Sequence, residues 1–247
     1  MLLTQLKYDL KMFFRELFYL VFTVIMPPAS YIFMGQLFGS QSYGKFNYAQ
    51  FYTPSFIILI TFSVVFFAFG FDNVMNRSSG IEKRISISPI NMRIIVVSNI
   101  LKSVIITSLG FLSILTLGIF VYDLKLAALQ LLLSYGFFII INITLLILSL
   151  ACYSFFNEMK SALVFSIIAF QVVMFTGDFS VPVAQAPKFV QYIAHANPVY
   201  HLNHLFINIW NNAFEFNRGN LISIGYVAIV VLVSLIVFLL SSTRKKD

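Results

Sequence analysis

The sequence predicts an all-α integral membrane protein with six transmembrane helices, an N-terminal interfacial amphipathic helix and a re-entrant extracellular helical hairpin before the last span. Of the 247 residues, 60% are hydrophobic and only 10% are charged, whereas a soluble domain carries about 25% charged residues. The mean hydropathy is +0.91. Several apolar runs reach about 20 residues, the length at which a helix crosses the hydrocarbon core of a bilayer.

The apolar runs define the spans. Because lipid offers the backbone no hydrogen-bond partners, each run is expected to cross as a helix. The six predicted spans cover residues 17–38, 51–71, 94–122, 126–151, 161–176 and 221–241.

Residues 1–16 precede the first span and show a different pattern. Apolar residues recur at three- and four-residue steps, while Lys7, Lys11 and Arg15 repeat every fourth position, as in an amphipathic helix. Such a helix is expected to lie in the lipid headgroup layer. It serves either as a topology anchor alone or also as a brace for a cytoplasmic partner.

Lysine and arginine residues predict the orientation, because cytoplasmic loops of membrane proteins are enriched in both. They concentrate before the first span, in residues 77–93 and at the C-terminus, whereas the other side holds only Lys45, Lys125, Lys188 and Arg218. This bias places both termini and residues 77–93 in the cytoplasm. Lys102 lies inside the third span near its cytoplasmic end, where its ammonium group is expected to snorkel toward water.

The segment 177–220 is too polar and too rich in proline to span, yet it carries many aromatic and aliphatic residues. Two short helices are predicted at about 187–196 and 198–211, because Pro187 and Pro198 suit first-turn positions. They are expected to dip into the outer leaflet. Irregular backbone at that depth is tolerated only where it is buried in protein or lines a cavity.

The order of these features resembles the membrane subunits of bacterial type-2 ATP-binding-cassette (ABC) exporters, over essentially the whole chain. In the loop after the second span the matching positions are Arg77, Gly80, Glu82, Lys83, Arg84, Ser88, Pro89, Asn91, Met92 and Arg93. Before the last span they are Gly177, Pro182, Pro187, Asn197, Pro198, Val199 and Tyr200. Ser78, Ser79 and Ile81 depart from the family pattern, which often has an acidic residue after the first arginine and a threonine after the glycine.

The resemblance implies one permease domain over residues 1–247, set in the bacterial plasma membrane. It implies a translocation path for an amphipathic or hydrophobic cargo such as a drug, an antimicrobial or toxin peptide, or a lipid. A second copy of the chain or a similar permease would complete this path. A separate cassette ATPase would bind ATP and Mg²⁺ and would receive the loop in a groove.

The resemblance also implies site residues. The ATPase-coupling residues would be Arg77, Glu82, Lys83, Arg84, Pro89 and Glu158, with Pro89 ending a short helix. The extracellular gate candidates are Phe179, Tyr192, Tyr200 and Trp210. For the loop charges a plainer interpretation stays open, since enforcing topology alone requires positive charge there.

No catalytic or nucleotide-binding motif emerges from the sequence. Residues 39–45 match seven positions of a phosphate-binding loop, but Phe46 stands where a hydroxyl must ligate Mg²⁺. His195, His201 and His204 lack the further ligands of a zinc site, and a nucleic-acid surface is not evident. Polar residues within spans, Asn99, Asn142 and Gln171, are candidates for a path lining or for helix–helix hydrogen bonds. An ATP-independent carrier and a non-transporting immunity or scaffold protein remain the alternative functions.

Overall fold

The computed structural model describes residues 2–15, 21, 25–81, 84, 92–179 and 182–243. Within these residues the secondary structure is almost entirely helical. In chain order the helices are α1 (Leu2–Arg15), α2 (Met26–Phe38), α3 (Tyr48–Ser63), α4 (Gly70–Ser78), α5 (Met92–Tyr122), α6 (Ala128–Tyr153), α7 (Met159–Thr176), α8 (Lys188–His195), α9 (Pro198–Trp210) and α10 (Arg218–Thr243). A π-helical turn, Val64–Phe69, joins α3 to α4, and a 3-10 turn, Val183–Gln185, precedes α8.

Five helices of the described residues are long and apolar enough to cross a membrane. They are Tyr48–Ser78, Val97–Tyr122, Ala128–Tyr153, Met159–Thr176 and Arg218–Ser241. The predicted class, an all-helical multi-pass membrane protein, is therefore confirmed. The predicted first span, 17–38, lies partly outside the described residues, and the 13 residues of α2 cover only about 20 Å at 1.5 Å per residue. The count of six spans stays a prediction.

The helix Tyr48–Ser78 is longer than the predicted span 51–71 at both ends. It starts at a capping box, in which Asn47 Oδ1 accepts from the Gln50 amide at 2.9 Å and Gln50 Oε1 accepts from the Asn47 amide at 3.0 Å. These contacts satisfy two amides that a helix start otherwise leaves unpaired. Polar residues of α4 carry the helix past the apolar run, so hydropathy alone underestimates its length.

This helix is also the centre of the bundle, with 94% of its most apolar window buried. Its π turn leaves the Val65 carbonyl to accept from the Gly70 amide, one residue further than in an α-helix. The same carbonyl accepts from Ser149 Oγ of α6 at 3.2 Å. Immediately below, Gly70 gives room to the Tyr153 ring, which a Cβ atom on residue 70 would meet at 2.3 Å.

Five tyrosines pack together where α2 and α5 meet the start of α3: Tyr31, Tyr43, Tyr48, Tyr52 and Tyr122. We call this the tyrosine end of the bundle. The opposite end, where α4, α6 and α7 have the termini Ser78, Tyr153 and Met159, is called the basic end.

Direct hydrogen bonds hold the tyrosine end together. Tyr48 Oη donates to the Tyr31 carbonyl at 2.6 Å, and Tyr122 Oη donates to the Ile32 carbonyl at 3.0 Å. Gly35 permits the close approach of α2 and α5, because a Cβ atom there would lie 1.9 Å from Tyr122 Oη. Neutral groups therefore join the three helices.

The two short helices predicted at about 187–196 and 198–211 correspond to α8 and α9. α9 packs between α3, α6 and α10, and its Trp210 side chain is fully buried. Asn211 Nδ2 donates to the Gln50 carbonyl at 3.0 Å, which fixes the end of α9 beside the start of α3. By contrast, α7 and α10 expose most of their apolar surface, as helices that face lipid do.

Candidate functional site

The loop after α4 carries most of the residues predicted to couple to an ATPase. α4 ends at Ser78, and two residues later Gly80 adopts φ +71°, a backbone conformation that glycine reaches without steric cost. The Gly80 amide donates to the Arg77 carbonyl at 3.1 Å, and the Arg84 amide donates to the Gly80 carbonyl at 3.2 Å. Glu82, Lys83 and Pro89 lie outside the described residues.

Arg77, in the last turn of α4, joins the start of this loop to the turn between α6 and α7. Its Nη1 donates to the carbonyls of Tyr153, Ser154 and Phe156 at 3.2, 3.3 and 2.8 Å. The last carbonyls of a helix have no partner within the helix and carry a partial negative charge. The Arg77 guanidinium group therefore caps the C-terminus of α6.

Glu158 belongs to the same turn. It is the exposed N-cap residue of α7, and its side chain makes no capping hydrogen bond. A carboxylate is favoured there by the partial positive charge of a helix N-terminus. Arg84 is exposed as well. The structure thus brings Arg77 and the turn that holds Glu158 together, while contact of either residue with an ATPase stays a prediction.

Lys102 differs from its prediction. Instead of snorkelling to water, its Nζ lies 2.8 Å from Asp72 Oδ2 of α4, with side chains only 4% and 20% exposed. Its ammonium group also lies 4.9 Å from the centroid of the Phe69 ring, at the end of the π turn. The prediction of snorkelling is wrong because a carboxylate on the neighbouring helix offers the ammonium group a closer partner than bulk water.

The other polar residues within spans occupy different environments. Asn142 is fully buried between helices, where its Oδ1 accepts from Ser103 Oγ at 3.0 Å and its Nδ2 donates to Thr107 Oγ1 at 2.5 Å. It thus fastens α6 to α5. Gln171 is exposed on α7 and Asn99 is half-buried on α5.

The four gate candidates do not share one environment. Phe179 and Trp210 are fully buried, and Trp210 packs against Phe111 of α5. Tyr200 is half-buried, whereas Tyr192 is 75% exposed. Their role as a gate stays a prediction.

Two asparagines position the segment between α7 and α10: Asn197, one of the positions that carry the family resemblance, and Asn203, for which the sequence predicted no role. Asn197 Nδ2 donates to Thr176 Oγ1 at 2.8 Å, and Asn203 Nδ2 donates to the Gly177 carbonyl at 2.8 Å. Both contacts tie the start of α9 to the end of α7. Asn197 is the N-cap residue of α9, a position at which asparagine is favoured, whereas Asn203 lies inside the helix, where no local pattern predicts its contact.

Asp178 lies two residues after the end of α7 and adopts φ +64°, which aspartate tolerates better than most residues. Its Oδ1 accepts from the Val183 amide at 2.5 Å. Burial raises the pKa of this carboxyl group to about 6, because an apolar environment disfavours the ionised form. The hydrogen bond from Val183 offsets part of this shift.

The three histidines lie in and just before α9 and differ in their partners. Both ring nitrogens of His201 have partners, with Nδ1 3.0 Å from Ser223 Oγ and Nε2 2.9 Å from the His195 carbonyl. Burial lowers the pKa of His201 and of His204, so both rings favour the neutral form. Among the residues that the structure describes, no group of three His, Cys, Asp or Glu side chains could hold a metal ion.

Comparison with known protein families gives a match over most of the chain. The family model described as ABC-2 family transporter protein matches residues 28–240. This region extends from the start of α2 nearly to the end of α10, and it includes the loop, the α6–α7 turn and the segment that holds α8 and α9. No curated protein matches the chain.

Proposed function

The chain belongs to the ABC-2 family of transporter proteins, as a membrane subunit of an ABC transporter, and we propose that it exports cargo by coupling to a separate cassette ATPase at its basic end. ATP and Mg²⁺ bind to that partner, which performs the hydrolysis. The basic end faces the cytoplasm together with both termini, and the membrane is the bacterial plasma membrane. The excess of lysine and arginine at this end supports the orientation.

The contact of Arg77 with the α6–α7 turn is the observation that carries the proposal. Through it, a partner that displaces the loop after α4 also displaces the start of α7, since Phe156 and Glu158 belong to one turn. Two segments far apart in sequence thereby form one continuous surface for the ATPase.

The exposed surface of α7 supports a second copy of the chain, or a similar permease, as a further partner. Val164, Ile168, Gln171 and Phe175 follow each other at three- and four-residue steps and are all exposed. A polar amide in contact with hydrocarbon is unfavourable, and a neighbouring protein helix could hydrogen-bond to it. The cargo is an amphipathic or hydrophobic molecule, such as a drug, an antimicrobial or toxin peptide, or a lipid.

Charge reversal of the loop tests the proposal. We expect the triple variant Glu82→Lys, Lys83→Glu, Arg84→Glu to insert but to lose both binding and stimulation of the partner cassette ATPase. ATP turnover by the co-reconstituted ATPase and co-purification measure both effects. The control variant Lys45→Glu, Lys125→Glu reverses exposed charges elsewhere in the chain. It should bind and stimulate the ATPase as the wild-type protein does. Cysteine accessibility verifies that each variant inserts in the native orientation.

Unchanged ATPase stimulation by the triple variant would show that the loop charges serve only to set the membrane topology. Transport by the purified chain without ATP would instead favour an ATP-independent carrier.

A further inference from the structure

The ion pair between Asp72 and Lys102 joins the two helices that border the loop. Asp72 lies about six residues before the end of α4, and Lys102 about ten residues after the start of α5, or roughly 9 Å and 15 Å at 1.5 Å per residue. The 2.8 Å contact between Lys102 Nζ and Asp72 Oδ2 therefore links α4 to α5 a short distance from the ends at which the loop connects them.

The pair also reaches the π turn. Lys102 Nζ lies 4.9 Å from the centroid of Phe69, the last residue of Val64–Phe69. π turns interrupt the regular hydrogen bonding of a helix and occur often at functional sites. The pair is thus placed directly beneath the position at which the central helix is irregular.

Stability alone does not account for such a pair. Taking both charges out of water is unfavourable, so apolar residues of similar volume often stabilise a protein equally well. What a buried pair adds is a fixed register between two helices, because its energy depends strongly on geometry. An ionisable group within a span is by default a candidate functional group.

We propose that Asp72 and Lys102 are positioning residues for coupling, which make α4 and α5 move as one unit when the ATPase displaces the loop. This inference rests on the proposed function. Without the pair, a force on the loop spreads the two helices apart at their ends. With the pair in place, the same force tilts both helices together about the π turn. The displacement of the loop is then transmitted to the helices that pack against α4 and α5.

The first measurement needs no ATPase. Spin labels at Ser79 and Val97, both exposed, report the distance between the ends of α4 and α5 in nanodiscs, with Cys152 replaced by alanine. The wild-type protein should show one narrow distance distribution. Asp72→Asn and Lys102→Met should each broaden it, and the exchange Asp72→Lys, Lys102→Asp should narrow it again.

The second measurement is the stimulation of the cassette ATPase by each variant after co-reconstitution. We expect about a tenfold loss in either single variant, the factor that corresponds to about 1.4 kcal/mol, and recovery in the charge exchange. The neutral double variant Asp72→Asn, Lys102→Met leaves no unpaired charge and so remains folded even if the single variants do not. It should also lose stimulation. Ser103→Ala is the matched control, because it removes a neighbouring hydrogen bond of α5 and leaves the pair intact.

Normal stimulation by the neutral double variant, or a charge exchange that restores neither distance nor stimulation, would overturn the positioning role. A wild-type protein that stimulates no cassette ATPase would overturn the proposed function and with it the coupling role. The distances would then still show whether the pair holds the two helices together.

Discussion

The two ends of the central helix Tyr48–Ser78 are held by different physical means. At the tyrosine end, Tyr48 stacks against its neighbours and donates to the Tyr31 carbonyl at 2.6 Å, so neutral groups make the contact. At the basic end, the same helix is held by ions: Arg77 on the α6 carbonyls, and Asp72 on Lys102. Along this one helix, the neutral attachment at Tyr48 lies about 36 Å from Asp72 and about 44 Å from Arg77 at 1.5 Å per residue.

The two kinds of attachment are expected to respond differently when a partner protein binds. Aromatic packing and buried hydroxyl–carbonyl bonds depend little on charges that arrive from outside, so the tyrosine end serves as the fixed point. Ionic contacts change when another charged surface approaches, because that surface competes for the same groups. A partner that binds at the basic end can therefore alter contacts that hold α4 against α5 and α6.

The largest loss of stability should come from breaking the fixed point with Tyr48→Ala. The Tyr48 ring is 2% exposed and packs against Tyr31, Tyr52 and Tyr122. Removal of a buried aromatic ring leaves a cavity and reduces the free energy of unfolding by about 3–5 kcal/mol. Reversible unfolding in mixed SDS micelles measures the loss.

Tyr48→Phe is the matched control for that substitution. It removes only the hydrogen bond to the Tyr31 carbonyl, so about 1 kcal/mol should be lost. A Tyr48→Ala protein as stable as the wild type would contradict the assignment of the tyrosine end as the rigid attachment.

A smaller loss of stability but a larger loss of coupling should follow from Arg77→Gln. A cation at a partly buried helix C-terminus contributes up to about 2 kcal/mol, and glutamine retains one donor for the α6 carbonyls. We expect a decrease of about 1–2 kcal/mol in the free energy of unfolding, with a marked loss of ATPase stimulation. Arg84→Gln, at an exposed position of the same loop, controls for the loss of one positive charge.

Equal effects of the two arginine substitutions on stability would show that the contact with the α6–α7 turn contributes nothing. Loss of stimulation in Arg84→Gln alone would place the essential charge on the loop surface rather than in the cap.

Periodicity and proline placement predicted the all-helical class and the positions of α8 and α9, whereas the count of six spans and a hairpin that dips into the outer leaflet stay predictions. Pro187 and Pro198 marked the starts of α8 and α9, because proline suits a first turn and interrupts what precedes it. Local signals of this kind lie within a few residues of the feature that they predict.

The sites were harder to predict because their contacts join residues that are distant in the chain. Lys102 was misplaced since its partner Asp72 lies on another helix, and one sequence does not reveal which helix faces meet. The Arg77 guanidinium group likewise meets carbonyls of Tyr153 and Phe156, which any residue type would supply. Backbone partners leave no trace in a residue pattern.

The smallest effect on stability should come from substituting two glycines with positive φ, one at each end of the bundle. Gly44, beside Tyr43 of the tyrosine end, has φ +65°, and Gly80, at the basic end, has φ +71°; a Cβ atom on either would have no neighbour within 4 Å. Alanine at each position should therefore lower the free energy of unfolding only through backbone strain in the left-handed region, by about 1 kcal/mol. Since Gly80 lies two residues after the end of α4, at the start of the loop, Gly80→Ala should also shift the loop and lower ATPase stimulation, whereas Gly44→Ala should leave stimulation unchanged. Unfolding in mixed micelles and ATPase assays measure the two effects separately.

Equal stimulation in both variants would show that the attachment of the loop to α4 tolerates displacement. The functional contrast between the two ends would then depend on Arg77 and on the Asp72–Lys102 pair alone.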